Sequence, residues 1–316
     1  MNFAEMAGVM KLAATQVCIL YIMVAVGFIT DKAGVFTEKA ALRCTDLLFY
    51  IITPAKIIES FFTLEYSSDT AKKLFVAMGM GMIMHGIAAV ISTLSFRRCD
   101  KEKAAVYKYA CAYGNCGYMG LPLASALIGS EGVFYTSAVI ITFQIFSFTH
   151  GITVMDKGEN GRVGIDIRKI VLNPGVIAVI IGLPFYLLNV HMPSIILQPV
   201  TYIASLNTPL AMLMFGTYMA HSDFRAMLRN ARIPAVAGLK LLLLPAIMLG
   251  VCKVFGLSGA PFSTIVLSAS APPANNTVLF SAKYGRDTGL ASQVVSSVSL
   301  MSIITIPLIM GVASVI

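Results

Sequence analysis

The chain has 316 residues, of which 57% are hydrophobic and 12% charged, with a net charge of +8 at pH 7 and a mean hydropathy of +0.82. Soluble domains carry about 25% charged residues, so a soluble enzyme of this size would lack the polar surface to cover its core. At about 20 apolar residues per membrane helix, plus a connection, the length suits about ten spans and leaves no room for a separate soluble domain. The apolar runs are too long, and alternate too little, for β-barrel strands.

In chain order the predicted spans are 6–29, 41–63, 70–95, 104–129, 132–154, 169–189, 193–220, 233–255, 261–284 and 288–314. Polar stretches separate them at 30–38, 97–103, 156–168 (DKGENGRVGIDIR) and 221–232. Glu5 and the lack of a basic residue before Lys11 do not fit a cleaved signal peptide, so the first apolar stretch is expected to stay as a span. Of the 23 Lys and Arg, 17 fall on one set of alternating connections and span ends, among them Lys32, Lys39, Arg43, Arg97, Arg98, Lys101, Lys103, Arg162, Arg168, Lys169, Arg225, Arg229, Arg232, Lys283 and Arg286. Lys11, Lys72, Lys73 and Lys253 fall on the other. Cytoplasmic loops collect the basic residues, which predicts a multi-pass protein of the cytoplasmic membrane with both termini outside the cytoplasm. The lipid bilayer is thus a partner, and nucleic acid is not.

A shift of 155 residues superposes Gly27 on Gly182, Thr53-Pro54 on Thr208-Pro209, His85 on Lys240 and Gly117 on Pro272. The reading is an all-α membrane protein of two five-helix repeats, residues 1–155 and 169–316, joined by a cytoplasmic linker at 156–168. Five spans per half make the second repeat inverted, an organisation common in secondary transporters.

Two spans are interrupted. The fourth reads CAYGNCGYMGLPLAS over 111–125 and the ninth SASAPPANNTVLFS over 268–281. Glycines, asparagines and prolines break a helix that lipid would otherwise require to be continuous. One reading is a pair of ordinary kinks with asparagines bonding between helices. The other is a binding site, because half-helix ends present free N–H groups and carbonyls to an anion or a cation. Two breaks at matching positions of the repeat favour the site.

GNCGYMGLPL in the fourth span, LNPGVIAVIIGL (172–183) in the sixth and PPANNTVLFSAKYG (272–285) in the ninth resemble the auxin efflux carrier family along essentially the whole chain. That family includes plant auxin exporters and bacterial carriers of small carboxylates such as malonate or malate, and it is distantly similar to bile acid–sodium symporters. The resemblance implies that helices 1, 2, 6 and 7 form a scaffold, that helices 3–5 and 8–10 form a transport core, and that substrate binds where broken helices 4 and 9 cross. It carries a substrate-binding role onto Asn115, Gly117, Gly120, Pro122, Pro272, Pro273, Asn275, Asn276 and Thr277, and implies a homodimer through the scaffold helices. The long hydrophilic loop of plant members is replaced here by about a dozen residues, which fits a bacterial carrier and not plant-style regulation.

Ionisable groups inside spans are costly and are functional candidates. Lys56 and Glu59 share a helix face and can pair. Lys240, mid-span, is the candidate for attracting an anion, or else a counter-charge within the bundle. His85 is a titrating candidate or a hydrogen-bonded structural residue. Lys108 and tyrosines 107, 109 and 113 are expected at the cytoplasmic interface. The six cysteines, Cys18, Cys44, Cys99, Cys111, Cys116 and Cys252, form no CxxC pair and read as small apolar residues, so no metal and no cofactor is expected. Protease and nucleotide-binding motifs are missing from the sequence. The predicted function is alternating-access transport of a small organic anion, in the direction of efflux. Sodium-coupled symport, a channel and a ligand-binding sensor are the alternatives.

Overall fold

The computed structural model describes residues 3–156, 168, 171–221 and 230–316, with side chains from residue 6 onward. Most of the expected linker, with Arg162, and also Lys169, Arg225 and Arg229, lie outside the described residues. The described chain is helical. Its helices are α1 Phe3–Lys32, α2 38–63, α3 Ser68–Ser95, α4 Lys101–Ala112, α5 Cys116–Leu127, α6 Ser130–Met155 and α7 Pro174–Leu187. They continue with α8 Ser194–Ser205, α9 Asn207–Ala220, α10 Ile233–Val254, α11 Gly259–Ser270, α12 Asn276–Lys283 and α13 Thr288–Ala313. Five of them (α1, α3, α6, α10 and α13) are long and apolar enough to cross a membrane. At 1.5 Å per residue each reaches the roughly 30 Å of a hydrocarbon layer.

Local chemistry explains the helix starts. Asp100 accepts from the Glu102 and Lys103 amides at the head of α4, and Asp287 from Leu290 at 2.8 Å at the head of α13. Asn173 accepts from Gly175 at 2.9 Å, with Pro174 in the first helical position of α7. These are the residue types that satisfy the unpaired N–H groups of a first turn. Gly129, at φ 82°, makes the turn between α5 and α6 in a backbone region that L side chains avoid.

Packing sorts the helices into two neighbourhoods. In one, α1 lies along α9 and also packs on α13 of the other group, and α2 packs on α7, α8 and α9. A Cβ built on Gly216 would strike the Val24 carbonyl and stand 2.9 Å from the Gly27 Cα, so α1 and α9 touch backbone to backbone. Gly182 of α7 likewise leaves room for the Phe61 ring. In the other, α3, α6, α11 and α13 surround the short helices α4, α5 and α12. The Arg286 guanidinium ties this second group together: it pairs with Glu102 at 2.9 Å and donates to the carbonyls of Met155 and Asp156 at 2.8 and 3.0 Å. Outward faces are apolar, with Ile22 64% and Ile195 81% exposed. A surface of that kind is suited to lipid.

The tyrosines expected at the membrane interface are instead inside. Tyr107, Tyr109 and Tyr113 are all buried, with hydroxyls bonded to Asn230, Ser147 and His150 respectively. A buried phenol needs a partner, and neighbouring helices supply one.

Candidate functional site

The two interrupted stretches cross each other. The Asn115 amide donates to the Pro272 carbonyl at 2.7 Å and the Ala274 amide to the Tyr113 carbonyl at 2.9 Å. Gly114 and Pro273 thereby face one another as an antiparallel bridge, the only β pairing among the described residues. Proline chemistry explains the geometry. Pro272 and Pro273 bring no N–H, so the helix cannot run through them, and the strand-like segment finds its hydrogen bonds on the other break.

Restarting each helix puts its first turn beside the crossing. Asn115 caps α5 by accepting from the Tyr118 amide at 3.0 Å, and its carbonyl receives the Gly120 amide at 2.9 Å. Asn275 holds the corresponding place before α12, its carbonyl receiving Val278 at 3.0 Å. The backbone N–H groups of Gly117, Asn275 and Asn276 have no acceptor among the described residues. All three residues line a cavity of about 60 Å³ together with Asn115, Cys116, Tyr118, Phe143, Gln144, Thr53 and Asn173. That volume holds a few waters. Among the described residues, no charged side chain lines it. The starts of two helices face it, where macrodipole and free N–H groups both favour an anion.

Of the residues expected at the site, Asn115, Gly117, Asn275 and Asn276 line the cavity, while Pro272 and Pro273 build the crossing. Gly120 and Pro122 are buried in α5 behind it. Thr277 is buried in α12, its hydroxyl without a hydrogen-bond partner among the described residues. Lys56 and Glu59 pair with each other at 2.8 Å on α2, away from the cavity. His85 is fully packed, with Nδ1 2.8 Å from the Gly81 carbonyl and the ring against Phe146. Lys240 does not reach the cavity. It is 1% exposed and packs against Gly114, which lines the cavity while Lys240 does not. Among the described residues, no group of three or more His, Cys, Asp or Glu is arranged to hold a metal.

Three polar cavity residues outside the two breaks had no site role in the sequence reading. Gln144 carries a buried Oε1 with no partner among the described residues, and its one sequence signal is an amide inside an apolar span. Thr53 accepts from the Asn207 Nδ2 at 3.0 Å, and Asn173 caps α7. Both reach the cavity from the first neighbourhood of helices.

The sequence of residues 12–310 matches the model of the family described as membrane transport protein. An "Uncharacterized transporter" of Methanothermobacter thermautotrophicus is 25% identical, covering 91% of this chain and 94% of that protein. Another of Methanocaldococcus jannaschii is 22% identical, covering 92% and 96%. A Rhizobium meliloti protein named "Putative malonate transporter" is 24% identical, covering 90% of each chain. The protein is a multi-pass membrane protein that belongs to this membrane transport family, that of the auxin efflux carriers.

Proposed function

We propose that the protein is a secondary carrier that moves a small organic anion, such as malonate or a similar carboxylate, through alternating access in the cytoplasmic membrane. The carboxylate is received by the N–H groups of Gly117, Asn275 and Asn276 and by the amides of Asn115 and Asn276. What supports this most directly is that the free N–H groups of two crossed helix starts meet in one cavity that, among the described residues, carries no charged side chain. The relative named for malonate transport supports the substrate class. In the proposed arrangement ten spans form two inverted repeats with both termini outside, and α3–α6 with α10–α13 shift as a body against α1, α2 and α7–α9. An inside-negative potential favours anion exit by about 2.3 kcal/mol per charge per 100 mV, which supports efflux.

The test is electrical recording from liposomes on a solid-supported membrane, with malonate, malate and indole-3-acetate added in turn, joined to radiolabel counter-flow for electroneutral exchange. A saturable signal that Asn276→Ala removes from a well-folded protein is expected. A signal that never saturates would make the protein a channel. Absence of both current and counter-flow with every anion would overturn the carrier reading.

A further inference from the structure

The crossing has a second side, which the proposed substrate site does not use. While the starts of α5 and α12 face the cavity, the ends of α4 at Ala112 and of α11 at Ser270 run into the same crossing. The position that a Gly114 Cβ would take lies 2.9 Å from the Lys240 Nζ and 3.1 Å from the Ala271 carbonyl oxygen. The ammonium is therefore packed into the junction where both half-helices end. Among the described residues it has no salt bridge. The ionisable groups that face it are Cys111 of α4, Cys116 of α5 and His85 of α3, none of which is a carboxylate.

A helix end carries about half a negative elementary charge on its unpaired carbonyls. Two ends converging on one point amount to the charge that a single monovalent cation neutralises. Their free carbonyls are also the ligands that a hard cation prefers.

We infer that Lys240 is a tethered cation that neutralises the paired carbonyl ends of α4 and α11, filling the place a coupling sodium ion would otherwise take. The consequence is sodium-independent transport, and it rests on the carrier reading. The placement of the charge does not. Gly114 lines the cavity and Lys240 does not, so in this inference the lysine steadies the crossing without touching the cargo. The α10 helix widens into a π-helical turn over Gly238–Leu243, the local device that directs the side chain there. Gly114 is the complementary device, since any Cβ at that position would displace the ammonium.

The sign of a stability change tests this. A buried ammonium that compensates nothing is heavily penalised, so replacing it with methionine, of similar length, would stabilise the protein. Purified wild type, Lys240→Met and Lys240→Arg are melted in detergent, in sodium chloride and in choline chloride at equal ionic strength. The expectation is a melting temperature several degrees lower for Lys240→Met, an intermediate value for Lys240→Arg, and a wild type that melts identically in both salts. A Lys240→Met protein as stable as wild type, or more so, would overturn the inference. So would a saturable, sodium-specific rise in the wild-type melting temperature, a measurement that stands even when the methionine variant fails to fold. Failure of the carrier reading shows separately, as missing flux through the wild type.

Discussion

The Asn115 amide donates across the crossing to the Pro272 carbonyl, at 2.7 Å, while the Asn115 side chain caps its own helix at the Tyr118 amide. One residue thus sets both the contact between the breaks and the start of α5. Asn115→Ala keeps the first bond and loses the second. Loss of an N-cap costs about 1 kcal/mol, so this variant should be less stable than wild type by that amount, read by thermal or denaturant unfolding.

Asn276 offers a cleaner test of charge. It is the first residue of α12 and only partly buried, and a carboxylate at that position is favoured by the helix dipole. Asn276→Asp should keep the wild-type melting temperature yet weaken malonate binding at least about tenfold, through like-charge repulsion in the cavity. Isothermal titration with malonate checks it. Binding of wild-type strength in Asn276→Asp would mean that the cavity does not receive an anion there.

Gln144 has an oxygen buried without a partner among the described residues, and such a group is a cost to the fold. Gln144→Leu removes that cost at similar volume. The variant should melt at or above the wild-type temperature, read by thermal unfolding. A stability loss would assign Gln144 a structural role.

The backbone contact of Gly216 with Gly27 leaves no space for a methyl group. Gly216→Ala must push α1 and α9 apart, at a cost of about 1–3 kcal/mol. Gly8→Ala, in the same helix α1 with nothing within 4 Å, is the control and should not destabilise. Melting the two variants side by side decides it.

Lys56 and Glu59, 20% and 14% exposed, pair at 2.8 Å. Removing either alone strands a partly buried charge, whereas replacing both with methionine is expected to be close to neutral. Transport by the double variant should match wild type. A loss of flux in that variant, with the fold intact, would draw the pair into the transport cycle.

The two breaks were legible because their chemistry is local: tandem prolines and clustered glycines interrupt a helix wherever it lies. Of the six cysteines read as small apolar residues, Cys111, Cys116 and Cys252 are buried, Cys44 and Cys99 are half-buried and Cys18 is exposed. Long-range placement was not legible. Composition marks Lys240 as expensive inside a span, but only the fold puts it against Gly114 instead of inside the cavity. Tyr107, Tyr109 and Tyr113 have interfacial composition, yet the face each one occupies depends on helices remote in sequence, which supply Asn230, Ser147 and His150. Thr53 and Asn173 escaped notice for a related reason. Thr53 served only as a repeat mark and Asn173 only as part of a motif, and each becomes part of a wall only when α2 and α7 are brought against the crossing.

That wall has two owners. Asn115, Asn275 and Asn276 belong to a plate stitched by two backbone hydrogen bonds, whereas Thr53 and Asn173 are anchored to Asn207 and to the head of α7. Prying the plate itself open would break both stitches, whereas parting plate from anchor along the seam between them would break neither. Cargo leaving along that seam would let go of Thr53 and Asn173 while still gripped by the asparagines. Recognition and gating would then be a single act, and a side chain that sharpens selectivity along the seam would also set how fast the door swings.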